Sequence, residues 1–222
     1  MPDRLEQVVP PNLPLATDQY ARTYEEDYRK VERLYFTRMS NALNSVTGNF
    51  GGRYLQMPHG AFYDTTTQSD GINTPNAVKF NQTVTENTFG VSVGNNGAGN
   101  PTRIYPEFTG EYNFQFSLQL QNTDNAAHSV GIWVRINGID IPNTCTDITV
   151  PARKSASEYG YAVAAWNFVL TIEAGQYFEL MWATGTTLVT IPYIPAWTTP
   201  TNPYNRPATP SAILTVTYVS VL

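Results

Sequence analysis

Cysteine is almost missing from this chain. Cys145 stands alone among 222 residues, so no intrachain disulfide can form and the small disulfide-stapled folds are excluded. Histidine is nearly as scarce. His59 and His128 are the two present, and neither sits in a nucleophile elbow or at a metal-ligand spacing such as His-x-x-x-His. Basic residues are outnumbered, 13 Lys and Arg against 18 Asp and Glu, for a formal net charge of −5. The electrostatic footprint of a nucleic-acid binder is therefore lacking. Long apolar runs are also lacking. The opening MPDRLEQVVPPNLPL carries no stretch suited to a signal peptide, and no segment suits a membrane span, so the expectation is synthesis in a cytosol with no membrane partner. Charge of either sign is thin at 14%, and Asp18–Arg33 is dense in both signs while residues 55–222 carry little. Asn and Thr keep that larger part wet without charge, a surface that suits repeated subunits set side by side.

What is present is alternation. In Gly110–Asn122, Tyr112, Phe114, Phe116, Leu118 and Leu120 alternate with Asn113, Gln115, Ser117, Gln119 and Gln121. Strand side chains point to opposite faces with period two, so this segment has one oily face and one amide face. A one-sided strand of this kind belongs to an antiparallel sandwich. Val130, Ile132, Val134 and Ile136 repeat the pattern, and Asn137-Gly138 is the preferred pair for a two-residue hairpin returning through Ile139 and Ile141. Ala164–Ile172 places Trp166, Phe168, Leu170 and Ile172 on one face. After the turn Glu173-Ala-Gly-Gln176, Phe178, Leu180 and Trp182 form the face of the return strand. Short β patches precede these at His59–Asp64, Asn76–Phe80, Thr88–Val93 and Arg103–Phe108, and Leu188–Tyr193 is a further strand. In the last strand, Ile213–Leu222, both faces carry apolar residues, so it is expected to be buried on both, mid-sheet or against a neighbouring subunit. The fold class is mainly β, an antiparallel jelly-roll sandwich over residues 55–222.

Ahead of the sandwich lie two further segments. Residues 1–16 combine Pro10, Pro11 and Pro14 with Val8, Val9, Leu13 and Leu15. Proline makes the arm extended, and its aliphatics mark an anchoring segment that lies on a partner, the alternative being a disordered tail. Residues 17–48 contain no proline or glycine until Gly48, and Thr17 or Asp18 can cap a helix there. Tyr24, Tyr28, Val31, Tyr35, Met39, Leu43 and Val46 fall at three- and four-residue steps on one stripe. Glu25 with Arg29 and Glu26 with Lys30 are favourable i,i+4 pairs. The stripe can pack on the chain's own sandwich or associate as a short stalk, and the stalk is the reading adopted.

The order of features from residue 60 onward resembles the trimeric jelly roll of the tumour-necrosis-factor and complement-collagen head superfamily. The pieces that carry this are a short opening strand at Ala61–Tyr63, the Gly110-Glu-Tyr-Asn-Phe114 strand and the Trp133–Gly138 hairpin, followed by the Leu170–Trp182 hairpin and the apolar final strand. The whole chain also resembles small virion proteins of tailed bacteriophages, notably those of cyanobacteria and other marine bacteria. That likeness rests on Leu13-Pro-Leu…Tyr20, Leu34-Tyr-Phe…Asn44, Gly60-Ala-Phe-Tyr-Asp64, Tyr112-Asn-Phe-Gln-Phe-Ser117 and Ala164-Ala-Trp-Asn-Phe168. These resemblances imply a homotrimer, assembled on the phage particle after synthesis in the host cytoplasm. Its partners would be the major capsid protein or other virion proteins, and its work capsid decoration or cementing. The alternative is a receptor-binding tip of a short tail or head fibre, with a host-surface glycan as ligand.

No enzymatic chemistry is expected. Cys145 lies in Asn-Thr-Cys-Thr-Asp and reads as a structural thiol. Asp64 with Asp70 and Glu173 with Glu179 are carboxylate pairs of the kind glycosidases use, but Glu173 reads as a turn residue and Glu179 as an outward strand position. Asp140 and Asp147 read as loop acids. Catalytic residues, metal ligands and cofactors are accordingly none. Trp133 faces away from the core side of its strand, and Tyr193, Trp197 and Tyr204 lie in a loop holding Pro192, Pro195, Pro200, Pro203, Pro207 and Pro210. These four aromatics are the candidate oligomer or ligand contacts, the alternatives being that another element of the chain caps Trp133 and that the loop packs down on itself.

Overall fold

A computed structural model describes residues 22–47, 57–69, 71–198 and 204–220. The chain divides into two compact units, Met1–Gln56 and Met57–Leu222. The anchoring-arm residues Val8, Val9, Leu13 and Leu15 lie outside the described residues, as does Asp70.

In the first unit, α1 spans Arg22–Thr47, as the unbroken run of helix-compatible residues requires. The expected stripe is visible in the burial as far as Met39, beyond which Leu43 is exposed and the side chain of Val46 lies outside the described residues. Tyr24, Tyr28, Val31, Tyr35 and Met39 are half-buried, and none of residues 22–44 is fully buried. Tyr24 and Tyr28 stack with ring centroids 6.3 Å apart. The ion pairing differs from expectation, because Glu26 pairs with Arg22 at 2.8 Å in place of Lys30. Both side chains are solvated, so either pairing adds only a few tenths of a kcal/mol, ~0.3–0.5.

The second unit is a sandwich of two antiparallel sheets. Its strands are β1 (His59–Asp64), β2 (Asn76–Ala77), β3 (Gln82–Thr83), β4 (Val91–Asn95), β5 (Pro101–Pro106), β6 (Gly110–Asn122) and β7 (His128–Ile136). They continue with β8 (Ile139–Asp140), β9 (Thr146–Val150), β10 (Gly160–Ile172), β11 (Phe178–Thr184), β12 (Val189–Thr190) and β13 (Ala212–Ser220). Sheet I runs β10-β6-β13-β1-β3 with β12 also on β6, and sheet II runs β4-β5-β11-β7-β8 with β2 on β11 and β9 on β7. The first and last strands are neighbours, His59 opposite Thr217 through Asp64 opposite Ala212, and the chain passes repeatedly between the sheets. This is jelly-roll topology.

The alternation in β6 does what its pattern dictates. Tyr112, Phe114, Phe116, Leu118 and Leu120 are all buried, each worth roughly 1.5–3 kcal/mol of burial before chain entropy is counted. Phe114 stacks on Phe178 of sheet II at 4.2 Å with the rings 7° apart, which joins the two layers. Asn137 (φ 49°) and Gly138 (φ 80°) supply the left-handed pair that the β7–β8 hairpin needs.

Two expectations are corrected. The stretch Leu170–Trp182 is not a hairpin: β10 pairs with β6 along its whole length, whereas β11 pairs with β7, β5 and β2. Both strands are apolar inward but belong to different sheets, and the Glu173–Gln176 turn crosses the about 10 Å between packed sheets. Glu179 is not an outward solvated position. It is 6% exposed, accepts a hydrogen bond from Thr102 Oγ1 at 2.8 Å and lies 3.6 Å from Arg103 Nε. Strand β11 is central in its sheet, and side chains from flanking strands cover its outer face. Strand β13 lies mid-sheet between β6 and β1, as one of its two expected placings had it, with Ala212, Leu214 and Val216 buried and Ile213 and Val219 on its other face exposed in the single chain.

Candidate interaction surfaces

Two surfaces stand out, one on the outward face of each sheet. On sheet I, pairing sets Tyr161, Val163, Ala165, Asn167, Val169 and Thr171 of β10 beside Gln121, Gln119, Ser117, Gln115, Asn113 and Glu111 of β6. Strand β13 continues these rows with Ile213, Thr215 and Thr217, and β1 adds Tyr63, Ala61 and His59. Apart from Glu111 at one end, whose carboxylate takes a hydrogen bond from Ser220 Oγ, no Asp, Glu, Lys or Arg lies in these rows. Val163 is 58% and Val169 56% exposed. Strand β10 is also the open edge of sheet I. Its core-side residues Trp166, Phe168 and Leu170 are only half-buried, and Trp166 packs edge-on against Phe116 at 4.6 Å. The buried Trp166 Nε1 has no acceptor among the described residues.

Sheet II is built differently. Trp133 of β7 donates its indole N–H to Asp140 Oδ1 at 2.7 Å, and Arg135 Nε donates to the same oxygen at 2.8 Å. The hydrogen bond from Arg135, and then that from Trp133, hold the Asp140 carboxyl below its ordinary value. Across β11, the Arg103 guanidinium lies beside Glu179 and over the Tyr177 ring at 4.2 Å. Trp133, Asp140, Ile141, Pro142, Asn143 and Cys145 line a concavity of about 380 Å³. The outward Trp133 is thus partly capped by its own hairpin, and the remainder of it borders this concavity.

The proline-rich loop folds on itself. Ile194 bridges to Thr209 and Trp197 to Arg206, Arg206 lies 4.3 Å over the Trp197 ring, and Trp197 and Tyr204 rings are 5.5 Å apart. Tyr193 is half-buried, its backbone N–H bonded to Thr67 Oγ1. Tyr204 stays exposed. The structure therefore gathers Trp197 with Tyr204 and leaves Trp133 in a separate site on sheet II. What sequence reasoning missed was Asp140 as partner of Trp133, and β10 as an edge. The i,i+7 spacing across an Asn-Gly hairpin was the available signal for the first.

Asp64, Glu173, His59 and His128 each have a partner within the chain. Asp64 is fully buried, and its Oδ1 accepts from Thr66 N and Oγ1 and from Ser211 Oγ, tying the end of β1 to the start of β13. Glu173 closes its turn as expected, its carbonyl accepting from Gln176 N. His128 Nε2 meets Asp124 Oδ2 at 2.6 Å, and His59 Nδ1 lies 2.7 Å from the Met57 carbonyl. Among the described residues no three His, Cys, Asp or Glu side chains gather as a metal site.

No family model matches the chain, and no curated protein matches it. Among solved structures, that described as the structure of Eiger TNF from S. frugiperda aligns with 75% of this chain and 94% of its own, at 10% identity and a TM-score of 0.45. The class of protein defined by the topology is an antiparallel jelly-roll sandwich preceded by one long helix.

Proposed function

We propose that this chain is a non-enzymatic structural protein of a tailed-phage virion, a homotrimer that decorates or cements the capsid shell. The observation that carries the reading is the outward face of sheet I. Its rows hold exposed aliphatics and amides with a single terminal carboxylate. In a closed assembly of identical copies, a charge would need a fixed opposite partner, whereas amides and hydroxyls pair in either sense. The open edge of β10 adds to this. A long apolar edge with no Lys or Pro on it is what solitary soluble domains avoid, and a neighbouring copy would cover it. The half-open stripe of Tyr24, Tyr28, Val31, Tyr35 and Met39 on α1 supports self-association as a stalk. The virion setting rests on the likeness of the quoted motifs to small phage virion proteins. In this reading residues 1–16 anchor the chain, with Val8, Val9, Leu13 and Leu15 against the major capsid protein.

Light scattering tests the assembly: the purified protein should weigh about three times its 24.7 kDa chain as a closed cyclic oligomer would. A clean monomer at micromolar concentration overturns it. Deleting residues 1–16 should leave a folded trimer that no longer binds stripped capsids. Binding at wild-type occupancy would move the attachment to the sandwich.

A further inference from the structure

The concavity on sheet II has the chemistry of a ligand site that the structural reading leaves unused. It is a shallow depression of about 380 Å³, wide open to solvent and lined mostly by apolar atoms, so it suits one face of a single ring and would not enclose a ligand. It is built rigidly. The Ile141 N–H donates to the Val134 carbonyl at 2.9 Å, the Val134 N–H donates to Thr144 Oγ1 at 3.1 Å, and Thr144 Oγ1 donates to the Ile141 carbonyl at 2.8 Å. These bonds pin the 141–144 loop to β7. Trp133 cannot swing freely either, since its indole N–H is committed to Asp140 and Asp140 to Arg135. A site held this way spends little ordering entropy on binding.

The lining selects the ligand. With its N–H committed, Trp133 has only its ring face to offer, and a ring face attracts a flat array of C–H groups. Asp140 Oδ1 already holds two donors, so Oδ2 is the acceptor left for a hydroxyl. The exposed amide of Asn143, held at φ 63°, can both donate and accept. A wholly apolar ligand would strip water from Asp140 without replacing it, which is costly. An anionic ligand would meet Asp140 and Asp147, with Arg135 already engaged. Gly131 lies behind two of the lining residues: a Cβ there would lie 3.3 Å from Asp147 Oδ1, 3.7 Å from Cys145 Sγ and 3.9 Å from Trp133 Cζ3. The absence of that carbon leaves room beside the indole. We propose that this concavity binds a neutral hexopyranose, one face of the sugar stacked on Trp133 and its hydroxyls bonded to Asp140 and Asn143.

The inference does not depend on trimerisation and is tested on the full chain. Saturation-transfer NMR would use methyl glycosides of glucose, galactose, mannose and N-acetylglucosamine, each at about 10 mM, above the millimolar affinity of a single sugar ring. At least one should receive saturation, strongest on the protons of one ring face. Trp133→Ala should weaken that glycoside at least about tenfold, the loss of 1.4 kcal/mol or more. Gly131→Ala, whose added carbon crowds the exposed Asp147 carboxylate at 3.3 Å so that this side chain must shift slightly, should weaken it too and keeps the test intact if the Trp133 variant fails to fold. Trp197→Ala should leave it unchanged, and methyl glucuronide should bind more weakly than methyl glucoside. The idea is overturned if folded wild-type protein transfers saturation to none of the glycosides, if both pocket variants behave as wild type, or if the Trp197 variant loses binding instead.

Discussion

The two outward faces of the sandwich are made from different side chains although the strands beneath them share one core. Sheet I shows Val163, Val169 and Ile213 among Asn, Gln, Ser and Thr. Sheet II shows Arg103 beside Glu179 and Arg135 beside Asp140, with Trp133 and Tyr177 among them. On sheet II each of these ions has its partner within the chain, so the face can stay in water or meet an unlike ligand. On sheet I nothing is neutralised because little is charged, and the exposed aliphatics are left for a surface like themselves. The contrast shows that an outward face is not one kind of surface. The polar residues chosen for it indicate what it meets.

The largest effect should come from removing what both faces rest on. Phe114→Ala deletes the ring stacked between the sheets and should cost roughly 3–5 kcal/mol in urea unfolding. Gln115→Ala, one residue along and pointing outward, should stay within about 0.5 kcal/mol. Equal costs would mean that the faces of β6 are assigned wrongly.

A charge placed on each face separates them next. Val163→Lys should leave the isolated fold almost untouched, yet bury an unpaired ion in the proposed contact between copies. An uncompensated buried charge is worth about 3–5 kcal/mol, enough to shift the light-scattering mass toward 24.7 kDa. Arg135→Glu on sheet II should leave the mass unchanged. If both variants dissociate the protein, or neither does, the distinction between the faces fails.

Tyr112 gives a smaller effect on the core side of sheet I. Burial first, then neighbouring Tyr218, pushes its phenol up to about 12 from an ordinary 10.0. A folded-state value raised in this way contributes stability in full below pH 10.0, and the contribution is lost as pH rises through the folded value. The loss should be on the order of 2–3 kcal/mol. Tyr112→Phe should flatten this alkaline step while sacrificing the hydrogen bond to the Phe108 carbonyl.

The smallest effect belongs to sheet II. Asp140→Ala should lower stability by under about 1 kcal/mol, since its ion pair with Arg135 is half in water. Its folded-state value is depressed below 3.8, so its contribution is complete above that pH and disappears as pH falls through the depressed value. The indole N–H resonance of Trp133 should shift over that acidic window and show no such step in Asp140→Asn.

Residue order alone determined what each strand turns inward. The alternation in β6, the Asn137-Gly138 turn and the three- and four-residue stripe on α1 were all legible, because periodicity and turn chemistry act between residues a few positions apart. Apart from the β7–β8 hairpin, which strands became neighbours was not legible. β10 and β11 have matching apolar faces, and that match is equally consistent with lying side by side and with belonging to different sheets. Only the long-range pairing of β10 with β6 decided between them, and it also made β10 an edge. The placing of β11 between β5 and β7 decided the fate of Glu179, polar by type and outward by alternation, yet buried in mid-sheet against Thr102 and Arg103 of β5. The Trp133 site was half legible: its outward direction follows from period two, but its partner Asp140 arrives through the register of Arg135 opposite Asp140. Alternation assigns a side chain to a face, whereas burial depends on what distant parts of the chain bring to that face.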